Sequence, residues 1–245
     1  MTGEPKQPMG AFERLREASP TISVGVLTAN LAALGSELAC LEGTGVQLLH
    51  FDVMDGCFVP MMTVGPPLIR AVRAPFLIEA HLMILDPLEK IDAYVEAGAD
   101  ILTVHVESGQ HIHRVLQKLG RMTNARDPDR GLVRGVALNP GTPLSTLEPL
   151  LDDVEMVSLL AVNPGWTGQA FIESTLPRLS KVKKMIAAQG REILLCVDGG
   201  VTRDNISRLA GTGVDLVVTG SAVFDGKAPA ENARFMLERL RSRPH

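Results

Sequence analysis

The phrases EAGADILTV at 96–104, AAQGREILL at 187–195 and GTGVDLVVT at 211–219 share one grammar: the end of a helical pattern, a glycine, then a short apolar run suited to a strand. Glycine enters the left-handed region without steric cost, so at that place it closes a helix and turns the chain straight into the next strand. Gly98, Gly190 and Gly213 hold the position. Outward from these phrases the same alternation fills the chain. Eight apolar runs stand at 21–28, 46–54, 76–84, 101–106, 132–138, 157–162, 193–197 and 216–219. Between them lie segments with helical spacing, among them PLEKIDAYVEAG from Pro87, STLPRLSKVKKMIAAQG from Ser174 and NISRLAGTG from Asn205. Runs apolar at both parities are buried on both faces, as parallel strands under helices are. Eight such units predict an α/β fold, a TIM (β/α)8 barrel forming a single catalytic domain over 21–245, behind a polar N-terminal extension over 1–20. An open doubly wound sheet would carry a Gly-x-Gly-x-x-Gly turn after the first strand, and the chain has none there. GRMTNARDPDRG at 120–131 reads as a polar, mobile loop.

The length of 245 residues suits one barrel of about 250. With 45% hydrophobic and 21% charged residues, disordered, collagen-like and coiled-coil classes are excluded. Twenty-four Lys and Arg stand against 28 Asp and Glu, a net charge of −4, which leaves no basic excess for nucleic acid. Cys40, Cys57 and Cys196 are odd in number and lack C-x-x-C spacing, so neither a disulfide framework nor a zinc knuckle is expected. Residues 1–20 lack the apolar centre of a signal peptide, and no run reaches the roughly 18 apolar residues of a membrane span. A soluble cytoplasmic protein without a membrane partner is expected.

In a barrel the reacting groups gather at the carboxyl ends of the strands. The second run ends LLHFDVMDG, where His50 and Asp52, two apart, lie on one side of the strand. The third ends IEAHLMI, with His81 inside an apolar stretch, and the seventh ends LLCVDGG, with Asp198 before two glycines. Any one of these could be an ordinary hydrogen-bonded group. Together, two imidazoles and two carboxylates at one mouth form a nitrogen and oxygen ligand set for one divalent metal ion such as zinc, iron, manganese or cobalt. Burying all four without a cation would be costly. His105 reads as a structural, hydrogen-bonded histidine, and His111, His113 and His245 read as surface residues.

With their surroundings, these residues resemble the ribulose-phosphate 3-epimerases, phosphate-binding TIM barrels. The likeness runs from about Ile22 to the final helix through HFDVMDGCFVP, HLMI, HVES, GVALNPGTP, NPGWTGQAF, VDGGV and VTGSAVF, in that family's order and spacing. It implies an isomerase of the pentose phosphate pathway that inverts C3 of D-ribulose 5-phosphate to give D-xylulose 5-phosphate. It also implies a metal held by His50, Asp52, His81 and Asp198, with Asp52 and Asp198 as acid and base, and a homo-oligomer, dimer or hexamer. Inverting a carbon beside a ketone takes a proton from one face and returns one to the other, so two groups are required across a planar enediolate. Neither aspartate has a fixed direction, since the reaction runs both ways. Met54 and Met83 match two methionines that line the intermediate in the family, with Leu160 at a third such position; plain core packing accounts for them equally well.

Glycine-rich loops after the last three strands suit a phosphate dianion, because backbone amides donate without bulk. They are Gly165, Trp166, Thr167 and Gly168; Gly199 and Gly200; and Gly220 and Ser221. Tight turns are the plainer reading, and Trp166 either shields its loop or packs on it. The chain departs from the family at Val24-Gly25-Val26-Leu27, where the family has Pro-Ser-Ile-Leu, at Cys57 for a histidine, at Met61 for an asparagine and at Thr167 for a glycine. Thr167 tolerates positive φ far less easily than glycine. The departures touch the substrate side, so an epimerase of another four- or six-carbon ketose phosphate, such as allulose 6-phosphate, is the close rival. A non-catalytic sugar-phosphate-binding barrel is a further alternative, and an aldolase would need a Schiff-base lysine, which no apolar run contains. In every reading, the aldolase's shared phosphate site included, the partner is a small sugar phosphate.

Overall fold

The computed structural model describes residues 9–242. Eight parallel strands close into a barrel in chain order. They are β1 (Thr21–Gly25), β2 (Leu48–Met54), β3 (Leu77–Met83), β4 (Ile101–His105), β5 (Val133–Leu138), β6 (Met156–Leu160), β7 (Leu194–Asp198) and β8 (Leu216–Thr219). Each lies within its expected run to a residue at either end. Around them stand α2 (Leu34–Ala39), α3 (Pro66–Ala71), α4 (Ile91–Ala97), α5 (Ile112–Leu119), α6 (Thr175–Ala188) and α7 (Pro229–Arg241), with α1 (Ala11–Ala18) ahead of β1. Gly98 and Gly190 take φ of 94° and 66° at the ends of α4 and α6, as their phrases require. None of the described helices is long and apolar enough to cross a membrane.

Two expectations are corrected. NISRLAGTG from Asn205 makes only a 3-10 turn at Ile206–Arg208, because Gly211 and Gly213 both take positive φ and stop the segment before a second turn can form. The 120–131 loop is tied down rather than mobile. Buried Asn124 donates to Asp100 Oδ1 (2.8 Å) and to the Ala99 carbonyl (3.1 Å), and Arg126 donates to the carbonyls of Ile69 and Val72. The polar side chains that suggest solvation serve to satisfy backbone groups at the foot of the barrel.

Outward strand residues such as Leu49, Phe51, Ile78, Leu82, Val104 and Val197 belong to the main core, packed beneath the surrounding helices. Inward residues at the strand starts, Leu48, Leu77, Ile101, Val133, Met156, Leu194 and Leu216, make a separate apolar floor, and Ala11 and Leu15 of α1 pack on it. The polar leader therefore carries an amphipathic helix that plugs the amino-terminal end of the barrel; residues 1–8 of that leader lie outside the described residues. Above the floor the interior turns polar, and that is where the site is built.

Leu15 is fully buried on this floor, so Leu15→Ala is expected to lower stability by about 2–5 kcal/mol, read from the urea midpoint. An unchanged midpoint would mean that α1 does not carry the floor.

Candidate active site

The period of two along each strand selects what faces inward. On β2 these are Leu48, His50, Asp52 and Met54; on β3 they are Leu77, Glu79, His81 and Met83. The register of the two strands sets His50 beside Glu79, Asp52 beside His81 and Met54 beside Met83. Asp198 ends β7 opposite Leu160 of β6, next to Gly199 and Gly200. Since β7, β8, β1 and β2 follow one another around the barrel, Asp52 and Asp198 reach the same point from well-separated strands.

The four expected residues meet there. His50, Asp52, His81 and Asp198 offer ligand atoms that all lie within 4.8 Å of one another. His81 Nδ1 sits 3.2 Å from both Asp52 Oδ1 and Asp198 Oδ2, and His50 Nε2 sits 3.0 Å from Asp52 Oδ1 and 3.6 Å from Asp198 Oδ2. Both imidazoles are buried, whereas the Asp52 and Asp198 side chains keep 24% and 10% exposure and so face the open end. This donor set fits a divalent ion: two aromatic nitrogens and two carboxylate oxygens converge, and a cation would relieve the repulsion of the carboxylates.

Further residues complete the cluster. Buried Glu79 accepts from His50 Nδ1 (2.8 Å) through Oε2 and from the Thr103 hydroxyl (2.7 Å) through Oε1. On the other flank His105 Nε2 lies 2.9 Å from His81 Nε2, and His105 Nδ1 lies 3.2 Å from Glu107 Oε2. His105 is thus hydrogen-bonded and does not face the convergent point. Exposed His111 immediately precedes α5 and exposed His113 pairs with Asp153 at 3.1 Å; His245 lies outside the described residues. Glu79 and Glu107 are absent from the sequence reading, though each stands two residues from a histidine of the cluster, and that period of two was the available signal.

Burial opposes charge on both inner histidines, yet the carboxylates prevail. His50 is raised well above its ordinary value by Glu79, Asp52 and Asp198. His81, against burial, is raised to about 9 by Asp198 and Asp52. Burial also opposes ionisation of Asp52, but the two imidazoliums hold it far below the usual carboxylate range. His105 is different: burial lowers it, and the Glu107 carboxylate only partly offsets that.

The glycine-rich segments follow β6, β7 and β8 at the same end. Gly165 and Gly168 take φ of 93° and 71°, and Gly199 and Gly200 take 99° and 68°. A Cβ on Gly200 would come 2.7 Å from the Phe171 amide, and one on Gly220 would come 2.9 Å from the Gly25 carbonyl. Thr167 carries no strain of this kind: Asp86 is the one non-glycine with positive φ among the described residues. Trp166 is 61% exposed and, with Phe58, Val59, Pro60, Asn139 and Asn163, lines a cleft of about 220 Å³. At buried Gly25 an added Cβ would sit in ordinary van der Waals contact with the Gly220 backbone at 3.5 Å, so a small side chain could be carried there without a clash.

The sequence model of the ribulose-phosphate 3 epimerase family matches residues 21–224. The chain belongs to that family. It is 41% identical over 206 residues to the ribulose-phosphate 3-epimerase of Bacillus subtilis (strain 168), covering 83% of this chain and 91% of the relative. To the chloroplastic ribulose-5-phosphate-3-epimerase of Arabidopsis thaliana it is 40% identical over 223 residues, covering 89% and 76%. Among solved structures, KGPDC from Streptococcus mutans in complex with D-R5P matches with a TM-score of 0.70 at 18% identity, over 91% of this chain and 97% of that one. The 3-hexulose-6-phosphate synthase of Salmonella typhimurium matches at 0.66 and 19%, over 90% and 98%. At that identity the two structures speak for the barrel alone. As a member of the ribulose-phosphate 3-epimerase family the chain is an isomerase, a carbohydrate epimerase, and the cluster under its mouth could hold a metal ion.

The raised histidines give a pH test. A ring must shed its proton before its nitrogen can bind a metal. In chelator-treated protein, adding Co²⁺ at pH 7 is expected to release protons, and its affinity is expected to rise with pH as His50 and His81 lose theirs, His81 at about 9. The sign for stability is the reverse. His81 charge favours the folded metal-stripped protein fully below the ordinary value of 6.5, and this contribution is lost as pH rises through about 9. Titration calorimetry in buffers of different ionisation enthalpy counts the released protons; none released would contradict the charged histidines.

Proposed function

We propose that this protein is a metal-dependent 3-epimerase that interconverts D-ribulose 5-phosphate and D-xylulose 5-phosphate, with Asp52 and Asp198 as the acid and base. The observation that carries the proposal is the convergence of these two carboxylates, from β2 and β7, on one histidine nitrogen at 3.2 Å each while both keep an open side. Substrate lying over the mouth has its C3 between them. One carboxylate takes the C3 proton from one face, and the other delivers a proton to the opposite face, which inverts the carbon. His50, Asp52, His81 and Asp198 would hold a divalent ion, which would supply positive charge worth several kcal/mol toward the negative charge that develops on the substrate oxygens. Glu79 holds His50 by its far nitrogen, and Met54, Met83 and Leu160, inward-facing on β2, β3 and β6, give the planar fragment soft walls that withhold water.

The phosphate group of the substrate is assigned to Gly165, Trp166, Thr167, Gly168, Gly199, Gly200, Gly220 and Ser221. The amides of Gly200 and Ser221 donate to no group of the chain among the described residues, which leaves them to an anion. The names of the two epimerase relatives support the five-carbon substrate. The cleft beside Trp166 favours, as second reading, a longer ketose phosphate such as a six-carbon one. A Schiff-base aldolase finds no lysine on the eight strands. Free Cys40 and Cys57 on the surface support a reducing cytoplasm, and the family likeness supports self-association as a dimer or hexamer.

Exchange in D₂O tests the two-base reading. Wild-type protein loaded with metal is expected to wash out the C3 proton and form the C3 epimer. Asp52→Asn and Asp198→Asn are each expected to lose inversion by about 10²–10⁴-fold, with any surviving exchange confined to one epimer. Full inversion in either variant would defeat the assignment, and absence of washout in wild type across four- to six-carbon ketose phosphates would favour a binding barrel. Gly200→Ala, which drives a Cβ against the Phe171 amide, is expected to raise KM by about tenfold or more, as a strain of 1–3 kcal/mol allows, with kcat less affected.

A further inference from the structure

We propose that His105 and Glu107 are positioning residues: they fix which nitrogen of His81 carries a hydrogen, and so present the other as a lone pair to the metal. The inference deepens the metal reading above and rests on it. Glu107 Oε1 accepts from the Asn139 amide at 2.8 Å and from the Thr142 hydroxyl. With one oxygen filled by two donors, the carboxylate acts as acceptor at the other, so its contact to His105 Nδ1 at 3.2 Å places the hydrogen on that nitrogen. In the neutral ring, His105 Nε2 is then an acceptor.

His105 Nε2 lies 2.9 Å from His81 Nε2. The two ring planes differ by 19° with centroids 5.0 Å apart. Nitrogens so close in nearly parallel rings do not allow one ring to lie over the other, so the rings meet edge to edge and a hydrogen lies along the contact. That hydrogen belongs to His81 Nε2, because His105 has none to give there. His81 Nδ1 is then the nitrogen left for the cation, and it is the one that faces Asp52 and Asp198 at 3.2 Å each. Phe58, tilted 51° against the His105 ring at 5.0 Å, and complete burial of His105 hold the intermediate ring in place. Glu79 does the same for His50 without an intermediary, bonding Nδ1 and leaving Nε2 toward the site. The HVES phrase supplies the longer version, with His105 and Glu107 two apart on β4 and just beyond it.

The test uses Co²⁺ as the probe, added to chelator-treated full-length protein and followed by its visible absorption. Alongside it, long-range ¹H–¹⁵N spectra report which nitrogen of His81 carries hydrogen. His105→Leu, which removes the acceptor, is expected to weaken Co²⁺ binding 10- to 100-fold. His105→Gln, whose amide oxygen can accept from His81 Nε2, is expected to recover most of it. Thermal melting under chelator shows that each variant is folded; should His105→Leu fail to fold, Glu107→Gln serves instead, with about tenfold weaker binding expected. If wild type binds no Co²⁺, the metal reading itself fails. If wild type binds and the folded variants bind equally well, or if His81 carries its hydrogen on Nδ1 in the loaded protein, the positioning role is overturned while the metal site stands.

Discussion

Charge compensation in the upper half of the barrel is the constraint on which the rest depends. His50 and His81 share a water-poor interior with Asp52, Glu79 and Asp198, and no one of these groups can be charged there alone. Their mutual contacts explain why the imidazoles are pushed toward charge and Asp52 is held as a carboxylate. The same balance makes the cluster receptive to a cation, which can replace the protons on the inner nitrogens without disturbing the outer hydrogen bonds to Glu79 and His105.

The barrel separates this demand from the one that keeps it folded. Its lower interior is apolar and capped by α1, and its outer face is buried under helices, so stability is drawn from layers that the reacting groups do not enter. At the upper end the strands stop and glycines take over. Close approach of Gly200 to Phe171 and of Gly220 to Gly25 leaves backbone amides rather than side chains at the rim. A charged, two-carboxylate centre and a neutral, amide-lined rim suit the two ends of a phosphorylated sugar.

Much of this was legible because barrel periodicity is local. Each strand could be read from a run of apolar residues, and each inward residue from alternation along it, so His50, Asp52, His81 and Asp198 emerged without knowledge of their neighbours. Glu79 followed from the same alternation but escaped notice, since a lone glutamate in an apolar strand suggests no chemistry until His50 is seen beside it. The pinned loop at 120–131 escaped for another reason: Asn124 and Arg126 look solvated until their acceptors, at Asp100, Ala99, Ile69 and Val72, are brought in from elsewhere in the chain. Strain at Thr167 was expected by likeness and is absent, because a positive φ depends on the path of the loop rather than on the residue standing in it.

By itself, then, the sequence determined eight alternating units, the inward parity of the reacting side chains and the family to which the chain belongs, because each of these is written in short-range patterns. Tertiary structure alone decided that α1 closes the floor, that two aspartates three strands apart share one histidine nitrogen, and that Glu107 reaches His81 through a second imidazole. Those are relations between distant segments, and only closure of the sheet on itself brings such segments within hydrogen-bonding distance.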